Sequence, residues 1–324
     1  MQKLKGFLQL IRAGNLFIIA LSLSFFYYLV IVPVHQNILQ TTLVPFSIKD
    51  FVLFVLSVVL LAAGGNVIND YFDFELDKEF KPNRPLPQGL MSLDTVMYLH
   101  MAFVFTGIAL GFYLGWRNGN FHLGYLYVIS ALLLFIYSAF LKKIPLAGNV
   151  VIAGLSAFVL VLLLSFEADY LRLIHAGNLF ESSEYAFAVL ILQLKFYAGF
   201  AFLTSVAREL VKDIEDHTGD EAYQINTFAV AYGDTTAKWL AGAVLAVLLA
   251  GLGYFMHEFF MTGAIKELLY LGVVVAVPVV ITIGLVIRAK EQKEYALVSK
   301  LLKLIMLLGI LSMPAFYFIH QTVA

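Results

Sequence analysis

The chain contains no cysteine. Disulfides, thiolate nucleophiles, zinc–thiolate sites and iron–sulfur clusters are therefore excluded, and redox compartment leaves no trace in the sequence. Charge is scarce: 13% of the 324 residues are Asp, Glu, Lys or Arg, against about 25% in a typical soluble domain. So little charge cannot cover the surface of a globule this size, which excludes a water-soluble enzyme. Neither sign dominates, with 21 basic and 22 acidic residues and a net charge of -1. No bulk positive field points to nucleic acid. Glycine-rich phosphate loops are missing too, since Gly64-Gly65 is not a Walker motif. The absence of cysteines and of a paired-His motif argues against a zinc site.

What fills the chain is apolar. Hydrophobic residues make up 61% of it and the mean hydropathy is +0.88. A transmembrane helix needs roughly 20 mainly apolar residues. About nine such stretches occur, at Asn15–Val34, Phe51–Ile68, Thr95–Gly115, Phe121–Leu141, Gly148–Phe166, Tyr185–Ala207, Ala237–Met256, Glu267–Val286 and Lys300–Ile319. Their apolar runs are continuous, not alternating, which argues against a barrel. The expectation is one all-α polytopic membrane domain over residues 1–324, with about nine helices. The first span lacks a small-residue cleavage pattern and reads as a retained helix. Sorting Lys and Arg by loop, with the N-terminus inside, gives 16 on one face and 5 on the other. The N-terminus is then cytoplasmic, and the cell inner membrane is the expected location. The outer segment Glu167–Glu184 reads as a solvated connector without clustered chemistry.

Two acidic clusters stand where spans meet the inner face. Asp70, Asp73 and Asp77 lie at i, i+3 and i+7, with Asn66 four residues earlier. Asp213, Asp216 and Asp220 repeat the spacing, with Glu209 in the place of Asn66. Each carboxylate is displaced from its counterpart by the same 143 positions (213 − 70 = 216 − 73 = 220 − 77). On a continuous helix each set shares one face, where like charges repel unless something positive lies between them. Hard divalent cations prefer carboxylate oxygens, and magnesium is commonly bound by a few carboxylates plus substrate phosphates. Two such clusters on the same side of the membrane can hold several magnesium ions and, through them, a diphosphate.

Basic residues lie nearby. Lys81-Pro82-Asn83-Arg84-Pro85-Leu86-Pro87-Gln88-Gly89 is a stiff, non-helical loop. It makes Arg84 a fixed fork for phosphate oxygens or a topological anchor. Lys142 and Lys143 end the fourth span, where they reach phosphate or only set topology. Arg208 and Lys212 flank the second cluster at i and i+4, placed either to pair locally or to hold a leaving group. His217 lies between Asp216 and Asp220; the other histidines are scattered.

At these residues the chain resembles the UbiA superfamily of intramembrane prenyltransferases. The matching pieces are Asn66…Asp70-x-x-Asp73-x-x-x-Asp77, Asn83-Arg84-Pro85-Leu86, Lys142…Gly148-Asn149 and Asp213-x-x-Asp216-x-x-x-Asp220. The resemblance implies helices around a central cavity, a magnesium-held isoprenyl diphosphate and a lateral opening for long lipid substrates. It implies that Asn66, Asp70, Asp73, Asp77, Asp213, Asp216 and Asp220 bind metal, and that Arg84 and one of Lys142 or Lys143 contact diphosphate. The run Arg208-Glu209-Leu210-Val211-Lys212-Asp213-Ile214-Glu215-Asp216 looks like the branch that alkylates geranylgeranylglyceryl phosphate. That branch usually continues with a basic residue, a glycine and a Thr-Leu-Pro turn, whereas Glu221, Tyr223 and Thr227-Phe228-Ala229 stand here. Aromatic or quinone-precursor acceptors remain open.

Transfer leaves positive charge on the isoprenoid, which aromatic faces stabilise by about 0.5–2 kcal/mol each. Tyr71, Phe72, Tyr137, Tyr197 and Tyr232 are candidates, with Tyr71 and Tyr137 preferred for their place near the charged ends. The expected catalytic set is Asp70, Asp213, Arg84 and Tyr137. Arg84, Lys142, Lys143, Arg208, Lys212 and Tyr71 are the expected substrate contacts. A membrane transporter is the rival reading. Against it, the carboxylates cluster at helix ends, and the sequence shows no paired broken-helix signal.

Overall fold

A computed structural model describes residues 2–41, 46–175 and 180–321. Its helices are α1 (Gln2–Leu10), α2 (Ala13–Phe26), α3 (Val32–Asn37), α4 (Ile48–Phe72), α5 (Phe74–Phe80), α6 (Leu93–Arg117), α7 (Gly124–Ala139) and α8 (Ala147–His175). They continue as α9 (Phe180–Glu215), α10 (His217–Ala222), α11 (Phe228–Tyr232), α12 (Asp234–Met261), α13 (Ile265–Leu269), α14 (Val277–Arg288) and α15 (Gln292–Gln321). Among the described residues there is no strand, and nine helical spans are long and apolar enough to cross a membrane. These nine coincide in order with the nine apolar runs, and the protein is an all-α, multi-pass membrane protein. Large apolar side chains such as Phe17, Phe105, Val273 and Phe318 are left exposed, as a lipid-facing surface requires.

The chain forms two compact units, residues 1–141 with 159–192, and residues 142–158 with 193–324. In the first, α4 is the central element and packs against α2, α6 and α7. The α4–α6 and α6–α7 contacts are close because glycines line them. A Cβ on Gly107 would stand 3.0 Å from the Ser57 carbonyl, and one on Gly111 would stand 2.4 Å from the buried Tyr127 ring. In the second, α12, α14 and α15 pack around a core that includes Leu210, Val211, Leu245, Val279, Leu302 and Ile305.

Among the described residues, each unit contains one π-helical run. A π-helical run, Tyr27–Ile31, precedes Pro33, and another, Tyr270–Ala276, precedes Pro278. Proline lacks an N–H and its ring clashes with the carbonyl four residues back, which here lies inside the wide turn in both cases. Spacing and composition alone do not reveal a pair of this kind. Both runs stay helical, so neither is the unwound segment a transporter reading requires.

The expected connector Glu167–Glu184 is largely helical. α8 continues to His175 and α9 begins at Phe180; residues 176–179 lie outside the described set. Polarity alone does not end a helix whose hydrogen bonds still propagate. Glu167 is not solvated but fully buried, 2.5 Å from the equally buried His35. Asp50 near the start of α4 binds Ser47 and Arg117. It is separated by about 30 Å of helix from Asp70 near the other end.

Because Tyr127 is fully buried, its ring cannot swing clear of an added methyl. Gly111→Ala is expected to cost about 1–3 kcal/mol by overpacking. Thermal denaturation in detergent should show the lower midpoint, with Gly119→Ala, which meets no neighbour within 4 Å but sits at positive φ, as a strain-only comparison.

Candidate active site

The first acidic motif does not lie on one continuous helix. α4 ends at Phe72, Asp73 takes φ −87° and ψ 0°, and α5 restarts at Phe74. The second motif breaks in the same place. α9 ends at Glu215, Asp216 takes φ −93° and ψ 0°, and α10 restarts at His217. The middle aspartate is the break in both, so the shared spacing encodes a shared backbone bend. The i→i−4 hydrogen bonds nevertheless continue through Asp73 and Asp77 and through Asp216 and Asp220, and Asp70 and Asp77 still converge on one Arg84 nitrogen, as a shared face requires. An aspartate side chain competes with helical hydrogen bonding, which suits it to such a junction. In the first motif Asn69 donates to the Asp73 carboxylate at 2.8 Å.

The first site has three walls. α4 and α5 supply the carboxylates, with Asp70 and Asp77 buried to 5% and 2% exposure. The proline-rich loop supplies Arg84, whose Nη1 donates to Asp77 at 2.6 Å and to Asp70 at 3.3 Å. Leu86 pins that loop into a cluster with Leu10, Val67 and Val96. The third wall is the elbow between α1 and α2, where Arg12 adopts a left-handed conformation, φ 54° and ψ 54°. Few non-glycine residues do so. Asn66 Nδ2 donates to the Ile11 carbonyl at 2.9 Å, next to the elbow. Arg12 Nη2 reaches Asp70 at 3.0 Å. Two guanidinium groups thus supply the positive charge that the like-charged spacing demands. Burial pushes the Asp77 carboxyl above its ordinary range, opposed by the Arg84 charge and reinforced by Asp73. Its Oδ1 is buried without a hydrogen-bond partner.

The second site is held differently. Asn149 on α8 donates to Asp213 at 2.9 Å. Arg208 pairs with Glu209, and Lys212 with Asp216 at 2.8 Å, so both basic residues make local ion pairs. His217 binds Asp234, at the start of α12, at 2.6 Å.

Among the aromatic candidates, Tyr71 packs against the Leu10–Val67–Leu86–Val96 cluster, and Phe72 meets it edge-on. Tyr137 lies within electrostatic reach of Arg12. Tyr197 is buried against Ser312, and Tyr232 is exposed. Lys142 is half-buried and Lys143 exposed in the turn after α7. Sequence reasoning missed Arg12, which counted only toward membrane orientation, as well as Asn69 and the role of Asn149. The signal for Arg12 was a guanidinium one residue before the first span and two before Gly14, where a helix break is cheap.

Among the described residues, no three carboxylates or imidazoles converge as a ready cation cage. The donor set nevertheless fits a hard cation: carboxylate oxygens, no soft ligand, and one buried carboxylate oxygen without a partner. Removing the Arg84 fork leaves Asp77 buried and uncompensated. Arg84→Ala is expected to destabilise the protein by about 2–4 kcal/mol, seen as a lower melting midpoint. Arg84→Lys should recover only part of this, because an ammonium cannot serve both carboxylates as a planar fork does.

Residues 30–308 match the UbiA prenyltransferase family. A digeranylgeranylglyceryl phosphate synthase from Methanococcoides burtonii is 30% identical over 95% of this chain and 98% of its own. The synthase of that name from Thermococcus kodakarensis is 35% identical over 62% of this chain and 63% of its own. Among solved structures, a digeranylgeranylglyceryl phosphate synthase shares the fold at a TM-score of 0.62, with 24% identity over 97% of this chain and 98% of that one. A UbiA homologue from Archaeoglobus fulgidus bound to DMAPP and Mg2+ does so at 0.53, with 15% identity over 95% and 99%. With most of its length covered by that family, the chain belongs to the UbiA prenyltransferases and is an enzyme of isoprenyl transfer in membranes.

Proposed function

We propose that this enzyme transfers a geranylgeranyl group from its diphosphate to geranylgeranylglyceryl phosphate, with magnesium, on the cytoplasmic face of the cell membrane and with the whole chain as one functional domain. The observation that carries the reading is the pair of acidic motifs bent at the same aspartate. The names of the synthase relatives support the acceptor, and the Mg2+ and DMAPP in the Archaeoglobus homologue support the cation and the diphosphate class.

In this reading Asp70, Asp73, Asp77, Asp213, Asp216 and Asp220 hold the cations. Asn66 steadies the elbow that presents Arg12. When bound, magnesium neutralises the diphosphate and improves it as a leaving group. Arg84 and Arg12 exchange carboxylate partners for phosphate oxygens, keeping the charge balanced as substrate enters. Lys142 or Lys143 adds a further cation for the diphosphate. Tyr137 presents its ring to the developing allylic cation. The bond between the first isoprenoid carbon and the diphosphate oxygen breaks, and a bond from the acceptor's glycerol oxygen to that carbon forms. The hydroxyl proton is released, and diphosphate departs. The apolar surroundings keep water from capturing the cation.

Asp70→Asn and Asp213→Asn are each expected to abolish transfer while the protein remains folded, read by product formation and size-exclusion profile. Wild type in excess chelator should be equally inactive. The acceptor is tested by incubating purified protein with labelled geranylgeranyl diphosphate, magnesium and a panel of acceptors, read by mass spectrometry. A product with geranylgeranylglyceryl phosphate supports the reading; a product only with aromatic acceptors overturns it.

A further inference from the structure

The second unit holds a cleft that the acidic motif does not use. It lies between α9 and α15, encloses about 200 Å³, and is lined by Arg208, Lys212 and Glu215 from one helix and Ser299, Lys300 and Lys303 from the other. On α9 the three residues fall at i, i+4 and i+7, one helical stripe. Glu209, Asp213 and Asp216 form the neighbouring stripe, turned by roughly 100°. The basic residues that flank the motif in sequence therefore belong to a different face of the helix. Gln292 donates to the Glu215 carbonyl at 2.7 Å and ties the start of α15 to the end of α9 beside the cleft.

The lining carries four cations and one carboxylate. Arg208 and Lys212 are drawn sideways by Glu209 and Asp216. Even so, the Arg208 Nε is buried and has no hydrogen-bond acceptor. A buried guanidinium N–H without an acceptor is costly, and the residue that carries it lines the cleft. Lys300 and Lys303 are exposed at the rim, and Ser299 adds a hydroxyl. Beside them Leu297 and Leu304, one on either side along α15, are 52% and 48% exposed. They share a face with Lys300, at i, i+3 and i+7. The cationic rim therefore borders an apolar surface within a membrane span. A free anion would leave that surface bare, whereas a lipid places its head group in the cleft and its chains along the leucines. Basic pockets between transmembrane helices on the inner side have this use for anionic head groups.

We propose that the α9–α15 cleft binds the phosphate head group of a membrane lipid, held by Arg208, Lys212, Lys300 and Lys303. The site adjoins the second acidic motif through the Lys212–Asp216 pair and does not depend on the identity of the prenyl acceptor.

Native mass spectrometry of the purified full chain tests this with phosphatidic acid and phosphatidylcholine at equal concentration. Wild type is expected to retain phosphatidic acid at least about fivefold over phosphatidylcholine, and Lys300→Gln/Lys303→Gln to lose that preference. Lys300→Arg/Lys303→Arg should restore it. Lys290→Gln/Lys293→Gln, which removes two exposed charges outside the cleft, should keep it. An unchanged preference in Lys300→Gln/Lys303→Gln, or an equal loss in the outside variant, overturns the site. Inorganic phosphate displacing the lipid at matched concentration overturns its assignment to a lipid.

Discussion

Carboxylates set close together at the ends of apolar helices must be compensated, because repulsion and desolvation both act against them. Around Asp70 and Asp77 this demand explains otherwise unrelated features. It accounts for a proline-stiffened loop that delivers Arg84, a leucine that pins the loop, and a strained elbow that turns Arg12 inward. None of these improves a membrane bundle by itself. Left-handed backbone at a non-glycine residue is tolerated only where surrounding contacts over-determine it, and here the Arg12–Asp70 pair and the Asn66–Ile11 hydrogen bond do so.

The two units meet the same demand with different chemistry. Asp70 and Asp77 are held by guanidinium groups, whereas Asp213 is held by the neutral amide of Asn149 and Asp216 by a lysine from its own helix. An amide donor orients a carboxylate without neutralising it. In the proposed reading, the guanidinium groups of the first site are displaced or shared when cation and diphosphate arrive.

Much of this was legible in the sequence, and the residues show why the rest was not. Nine apolar runs correspond to nine spans among the described residues because hydrocarbon thickness fixes the length of a crossing helix. The repulsion argument from the spacing Asp70, Asp73, Asp77 required a cation among the carboxylates, which Arg84 supplies. The bends at Asp73 and Asp216 could not be read from spacing, since i, i+3, i+7 is compatible with an unbroken helix. α9 ran through Arg208–Glu215 because its local ion pairs carry the helix beyond the apolar run. Arg12 escaped notice because its contact with Asp70 spans 58 positions, and no local pattern records such a partner. The π-helical runs ahead of Pro33 and Pro278 needed the backbone itself.

The central proposal is that the carboxylates of both acidic motifs are needed for a cation-bridged diphosphate to bind. Manganese binding in the presence of inorganic diphosphate, followed by electron paramagnetic resonance, measures this most directly. On that proposal, removing either set of carboxylates, by Asp73→Asn/Asp77→Asn or by Asp216→Asn/Asp220→Asn, eliminates diphosphate-dependent binding. Wild-type affinity and stoichiometry in either variant would contradict it.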